Sequence, residues 1–365
     1  MNDALKDFGW DARWEETYRA QSQAEDIPAR VVEDRGSSFH LLTADGDLPA
    51  VISGRLKHSA ESRAELPVVG DWVVARRPPG ESKAAVRAVL PRRAALSRKG
   101  AGNRTDEQVI AANVDTVFVV TSFNMDLNER RIERYLSLVW ESGARPVILV
   151  NKADLCADPA PRLAEIAAAS ADVPVLAVSA VTGQGLDALA AHLVPAATAA
   201  LIGSSGVGKS TLVNRLLGRE ALKVAPVREG DDRGRHTTSH RALFRLPAGA
   251  LVIDTPGLRE LSLWTEGEGL AQTFSDVESF AGQCHFNDCR HREEKGCGVL
   301  AAVASGDLLE DRYQSWLKLQ REAEYLARRR DVRARLDYKK KSKQQSREIK
   351  RMFHRGPTTR DPKDK

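Results

Sequence analysis

Gly203-Ser204-Ser205-Gly206-Val207-Gly208-Lys209-Ser210 has the residue types and spacing of a triphosphate cradle. Glycines let the backbone curl until several N–H groups face one set of phosphate oxygens. The Lys209 ammonium reaches the outer phosphates, and the Ser210 hydroxyl, followed by Thr211, is a ligand for Mg²⁺. An apolar run over 197–202 precedes the motif. Leu212, Val213, Leu216 and Leu217 at helical spacing follow it, closed by Gly218, so the motif sits at a strand-to-helix turn.

A second stretch, Asn151-Lys152-Ala153-Asp154, ends an apolar strand over 146–150. The Asp154 carboxylate accepts hydrogen bonds from N1–H and the N2 amino group of guanine. Adenine presents an unprotonated N1 there, leaving two acceptors face to face, so the site selects GTP and GDP over ATP. Asn151 is expected at the base edge and Lys152 along the ring. The next strand ends at Ser179-Ala180, where a backbone N–H is placed to meet guanine O6. In Asp254-Thr255-Pro256-Gly257, Asp254 belongs to the Mg²⁺ shell and the Gly257 N–H to the γ-phosphate. Thr237 and Thr238 lie in the polar loop between; Thr238 is taken as the hydroxyl that closes on Mg²⁺.

The motifs run in reversed order: Asn151 precedes Gly203 by 52 residues, whereas the usual GTPase begins with its phosphate loop. The same sheet with the chain cut elsewhere accounts for this. In consequence the γ-phosphate-sensing segments, 230–240 and 254–260, run directly into the C-terminal part, where nucleotide state is expected to be relayed. Position 258, where many GTPases carry a water-positioning Gln, is Leu258, whose aliphatic side chain cannot orient water.

Cys284, Cys289, His291 and Cys297 put three thiols and an imidazole within 14 residues. That is a full tetrahedral donor set for Zn²⁺, and a set with no open position is structural rather than catalytic. Cys156, His285 and His240 stand outside it.

These residues need elements to carry them. At 365 residues the chain has room for two or three domains. With 42% hydrophobic and 29% charged residues it has an ordinary soluble composition, and no apolar run reaches the roughly 18 residues of a membrane span. The opening MNDALKDFGWDARWEE lacks the basic-then-apolar order of a secretory signal, so a cytoplasmic location is expected. The net charge of +5 is uneven: residues 328–355 hold 13 Lys/Arg against 3 Asp/Glu, the make-up of a polyanion contact.

Residues 1–28 read as a short packing arm. Over 29–96 five short β-type runs (30–32, 39–43, 50–56, 72–75 and 86–90) punctuated by Gly and Pro predict a small OB-like barrel, which composition alone does not separate from an SH3-like one. Residues 97–268 alternate strands with helices, the rhythm of a parallel sheet covered on both faces. Residues 269–327 form a mostly helical metal-binding module, in which Leu309, Tyr313, Trp316, Leu317, Ala323 and Leu326 mark a packing helix. Residues 328–365 are a basic helix and tail.

Taken together, the stretches Val69-Gly70-Asp71-Trp72-Val73 and Gln108-Val109-Ile110-Ala111-Ala112-Asn113-Val114-Asp115, the NKAD, GSSGVGKST, GRHTT and DTPG motifs and the cysteine cluster resemble the ribosome small subunit-dependent GTPases, the RsgA/YjeQ family. The resemblance covers nearly the whole chain. It implies a circularly permuted GTPase with an OB barrel and a zinc module. It also implies hydrolysis of GTP on the small ribosomal subunit during late maturation, and it points to His236 as the group that orients the attacking water. The basic segment is then an rRNA contact, and the protein is expected to be a monomer off the ribosome. The competing reading is an RNA-binding assembly factor in which GTP fixes a conformation. A membrane-associated signalling GTPase finds no lipidation motif in this sequence.

Overall fold

The computed structural model describes residues 3–36, 38–99, 107–124, 127–170, 172–222, 241–254 and 267–328. Helices α1 (Asp3–Lys6) and α2 (Ala12–Gln21) form the N-terminal arm. Asp11 caps α2 by accepting the Trp14 N–H. Trp10 and Trp14 pack on Trp72 of the barrel, with the Trp10 and Trp72 rings edge to face at 4.7 Å between centroids.

The barrel comprises β1 (Asp26–Asp34), β2 (Phe39–Thr43), β3 (Gly46–Ile52), the short helix α3 (Gly54–Ser59), β4 (Trp72–Arg76) and β5 (Ala84–Val89). Strand β2 alternates strictly, with Phe39, Leu41 and Thr43 buried. The order β1-β2-β3-β5-β4 closes through a β1–β4 pairing; β3 and β5 run parallel and the other neighbours antiparallel. This five-stranded closure is OB-like. The run expected as strand over 50–56 is cut short: the Ser53 hydroxyl accepts the Leu56 N–H and starts α3, so β3 ends at Ile52.

Strands β6 (Ala95–Lys99) and β7 (Glu107–Ala112) pair antiparallel after the barrel. The α/β part then follows as β8 (Thr116–Ser122), α4 (Glu129–Glu141), β9 (Arg145–Asn151), α5 (Ala160–Ala168), β10 (Val175–Ala177), α6 (Leu186–Ala190), β11 (Thr198–Ile202), α7 (Lys209–Leu217), β12 (Arg241–Arg245) and β13 (Leu251–Asp254). The sheet order is β10-β9-β8-β11-β13-β12, parallel except for the last strand. The central strands are continuous apolar runs because helices cover both faces. Strand β12 was not expected from the sequence. It pairs β13 on one side and β1 on the other (Glu33↔Ala242, Asp34↔Arg241), making one sheet out of barrel and α/β part.

Glycine is required at the seam between them. Gly70 has φ +93°, and a Cβ there would lie 2.1 Å from the Ala112 carbonyl oxygen. Asn113 donates to the Gly70 carbonyl, while the fully buried Arg30 donates to Gly70, Phe8 and Thr198, tying barrel, arm and sheet at one point.

Helices α8 (Glu268–Thr273), α9 (Ser275–Ala281) and α10 (Gly298–Ser305) and a further helix over residues 310–328 build the C-terminal module. Its core holds Phe274, Val277, Val299, Tyr313, Trp316 and Leu317. Leu309, expected on the packing face, is exposed, and Leu308 is buried in its place. The basic segment from 329 onward lies outside the described residues.

Candidate functional site

The carboxyl ends of β8, β9, β11 and β13 meet at one edge of the sheet because these strands are parallel, and the loops that carry chemistry gather there. Between β11 and α7, Gly203, Gly206 and Gly208 all have positive φ, at +144°, +79° and +96°. A Cβ on Gly203 would lie 2.1 Å from the Val120 carbonyl oxygen, and one on Gly208 2.3 Å from Asn151 Nδ2. No L side chain fits at either place. Val207 is buried under the loop, whereas Ser205 and Gly206 are exposed. Lys209, the first residue of α7, lies over the loop and donates to the Gly203 and Ser204 carbonyls at 2.8 and 2.6 Å. Ser210 and Thr211 follow in the first turn, half-buried, beside the positive end of the helix.

At the other end, Asn151 is 2% exposed. Its Nδ2 donates to the Val207 carbonyl at 2.7 Å, and its Oδ1 accepts the Ala180 N–H at 3.1 Å. The sequence reading set Asn151 on the base edge and an N–H of Ser179-Ala180 on guanine O6. The structure joins these groups to each other, with one Nδ2 hydrogen left over. Asn151 thereby locks three loops together. Lys152 takes a left-handed conformation with φ 62°, which turns the chain so that Asp154 follows on the exposed side. The Asp154 carboxylate accepts the buried Ser179 hydroxyl, which in turn accepts the Thr182 N–H. That fixes one carboxylate oxygen.

Asp254 closes β13 at 7% exposure. Burial raises its pKa, and the Lys209 ammonium opposes that rise. Gly257, Thr237, Thr238, His236 and Leu258 lie outside the described residues. Asn214 on α7 was not singled out from sequence; its side chain pairs with the main chain of Ala221 and Leu222 just beyond the helix. Arg131, also missed, donates from the first turn of α4 to the Ser204 hydroxyl at 2.6 Å. Neither carries a local motif that would have marked it.

Some distance along the chain, the donor atoms of Cys284, Cys289, His291 and Cys297 all lie within 4.8 Å of one another. Cys284 Sγ and Cys297 Sγ are 3.9 Å apart, and each is 3.4 Å from His291 Nδ1. With Zn–S near 2.3 Å and Zn–N near 2.0 Å, the edges of a zinc tetrahedron are about 3.8 Å (S–S) and about 3.5 Å (S–N). The donor set therefore fits Zn²⁺. Backbone N–H groups of Gly298 and Leu300 point at the Cys284 and Cys297 sulfurs, stabilising thiolates at the start of α10. Burial lowers the His291 pKa, which keeps the imidazole in its neutral, ligating form. His291 itself is held at φ 57°, its carbonyl accepting the Tyr313 hydroxyl at 2.5 Å. Burial, followed by the neighbouring thiols, pushes the Cys289 thiol up to about 11, a barrier to joint ionisation that a divalent cation removes.

A phosphate loop at the centre of a parallel sheet, a guanine-type motif earlier in the chain, an OB-like barrel and a Cys₃His module define the class: a circularly permuted P-loop GTPase. Residues 89–264 match the family model described as RsgA GTPase. A small ribosomal subunit biogenesis GTPase RsgA of Opitutus terrae is 47% identical over 336 residues, covering 90% of this chain and 92% of that protein. One from Syntrophotalea carbinolica is 46% identical over 358 residues, 95% of this chain and 97% of that one. Among solved structures, YjeQ from Thermotoga maritima matches with a TM-score of 0.61 at 26% identity, over 82% of this chain and 98% of that one. YloQ, a circularly permuted GTPase, shares the fold with a TM-score of 0.59 at 22% identity, over 83% and 97% of the two chains. The chain belongs to the RsgA GTPase family, a family of GTP-hydrolysing enzymes that use Mg²⁺.

Proposed function

We propose that this protein hydrolyses GTP to GDP and phosphate on the small ribosomal subunit during its late maturation, with turnover stimulated by the subunit. The observation that carries the reading is the bridge from Asn151 to Val207 and Ala180, which brings a guanine-type motif and a phosphate loop into one site. In this reading Asp154 selects guanine, helped by Asn151, Lys152, Ser179 and Ala180. Residues Gly203 to Thr211 hold the phosphates, and Gly257 meets the γ-phosphate. Ser210, Asp254 and Thr238 bind Mg²⁺.

Cys284, Cys289, His291 and Cys297 hold one structural Zn²⁺. The barrel, the α/β unit, the zinc module and the basic tail are domains at the boundaries read from the sequence, the first two joined in one sheet by the β1–β12 pairing. Residues 328–355 contact rRNA through their positive charge, and the protein works in the cytoplasm as a monomer when off the ribosome. Relatives of 46–47% identity that bear the name small ribosomal subunit biogenesis GTPase support the partner.

His236 orients the attacking water, since Leu258 cannot. Unassisted turnover of GTPases of this general type is on the order of 10⁻⁴ to 10⁻² s⁻¹. The test is GTP turnover with and without purified small subunits, for the wild type and His236→Ala. Stimulation by orders of magnitude that His236→Ala removes is the expected result. Equal turnover with and without subunits would favour an assembly factor for which GTP is only a conformational ligand, and stimulation unchanged in His236→Ala would discharge that residue from its role.

A further inference from the structure

Helix α4 touches both functional centres. Successive residues of a helix are about 100° apart, so Arg130, Glu133, Arg134, Ser137 and Glu141 share one arc and Ile132, Leu136 and Val139 another. The second arc packs on the sheet. The first is polar and would face water in an isolated α/β domain, yet Glu133 is 4% exposed and Ser137 is fully buried. What buries them is the C-terminal module.

Glu133 accepts Arg312 at 2.8 Å and the Ser315 hydroxyl. All five guanidinium N–H groups of Arg312 find acceptors: Glu133, Ala169, Thr273 and both oxygens of Asp276. Arg134 makes a two-pronged pair with Glu322 at 2.7 and 2.9 Å. Ser137 donates to Thr273, and Glu141 accepts the Gly269 N–H. Gly269 approaches so closely that a Cβ there would lie 2.1 Å from the Ser137 carbonyl oxygen. The same helix, in its first turn, sends Arg131 to Ser204 of the phosphate loop.

We propose that α4 is the coupling element between the nucleotide site and the C-terminal module, with Arg131 as the positioning residue that carries the module's placement to the phosphate loop. The inference rests on reading that loop as a guanine-nucleotide site. The rigid body is short and stiff: 13 residues, about 20 Å long, hydrogen-bonded at several points to the module and at its amino end to the loop. A pull on the module moves α4 as a unit, because its module-facing side is a satisfied polar network rather than a slippery apolar one. The Arg131 guanidinium then shifts against the Ser204 hydroxyl, and the loop loses or gains a fixed wall. Linkage makes the effect reciprocal, so a nucleotide that prefers one loop position biases where the module sits.

Spatial continuity is not coupling, so the test is a double-mutant cycle. The release rate of a fluorescent GDP analogue is measured by stopped flow on the full-length, zinc-loaded protein without ribosomes, for wild type, Arg131→Ala, Glu322→Ala and the double variant. Glu322 belongs to the module, meets α4 through Arg134 rather than the phosphate loop, and is 35% exposed in its side chain, so its removal leaves the core intact. Each single variant is expected to change GDP release by about 5-fold or more, the low end of allosteric coupling. The double variant is expected to resemble Arg131→Ala alone, and Arg131→Lys is expected to restore part of the effect of Glu322→Ala. Release unaffected by Glu322→Ala, or effects that simply multiply, would overturn the proposal. Should Glu322→Ala melt at a lower temperature, Glu322→Gln, which keeps the hydrogen-bond acceptor, serves as the second variant under the same criteria. Wild-type protein that holds no GDP would instead sink the guanine-site reading, and the two failures are told apart in the first trace.

Discussion

Asn151 donates its side-chain amide to the main-chain carbonyl of Val207 at 2.7 Å, across 56 residues of sequence. It is the place where a base-recognition strand that comes early meets a phosphate loop that comes late, and it lies so close to Gly208 that a Cβ there would be 2.3 Å from the Asn151 Nδ2. Asn151→Ala leaves the buried Val207 carbonyl and Ala180 N–H without partners, at about 1–3 kcal/mol for each group. The expected outcome is at least a tenfold loss of GDP affinity together with a lower melting temperature, read by fluorescence titration and calorimetry. Unchanged affinity would show that the bridge does not position the site.

In the proposed reading, Zn²⁺ held by Cys284, Cys289, His291 and Cys297 anchors the C-terminal module. A structural zinc contributes on the order of 10 kcal/mol to such a fold. Cys289→Ser, or removal of zinc by a chelator, is therefore expected to release hydrogen-exchange protection over residues 267–328 first, while strands β8, β9 and β11 stay protected. Elemental analysis of the intact protein is expected to give one zinc per chain. Protection that survives demetallation would show that Trp316, Tyr313 and their neighbours suffice.

Acid stability in the barrel has a named source. The Asp26 side chain is fully buried, which disfavours its charge, but the Gln23 N–H and the guanidinium groups of Arg87 and Arg76 more than offset this, so its pKa falls below the ordinary value. A carboxylate with a depressed folded-state pKa stabilises the fold fully above the unfolded value, about 4, and that contribution is lost as pH falls through the folded value. Asp26→Asn is expected to lower the melting temperature at pH 7, by a deficit that shrinks as pH is lowered through about 4 and below. A deficit of the same size at both ends of that range would assign the effect to packing instead.

How much of this was legible beforehand depends on how local each signal is. The phosphate loop, the NKAD turn and the cysteine cluster are each contiguous or nearly so, and side-chain type alone states their chemistry. Strand β2 was placed to the residue because its short β-type run is punctuated by the turn that carries Gly46. Strand β12 was not, because as an edge of the α/β sheet it buries few of its five residues fully and gives no clean period. The strand placed over 50–56 ran on through Ser53, since the apolar Leu56 masked a capping hydroxyl. Nothing local marked the polar face of α4 as buried, because the groups that bury Glu133 lie 179 and 182 residues downstream. The motif placed Asn151 at the base edge, but its bond to a loop 56 residues away had no local signal in the sequence.

The central claim is a guanine site assembled from motifs in reversed order, and the most direct test is base selection by Asp154. The measurement is equilibrium binding of GTP, ATP and xanthosine triphosphate to the wild type and to Asp154→Asn. Wild type is expected to prefer GTP over ATP by about 10⁴-fold or more, because ATP sets its N1 acceptor against the Asp154 carboxylate and leaves both unpaired. Asp154→Asn is expected to lose GTP and gain xanthosine triphosphate, whose 2-oxo group accepts a hydrogen bond where guanine's amino group donates one. Equal binding of ATP and GTP by the wild type, or GTP binding untouched in Asp154→Asn, would contradict the account.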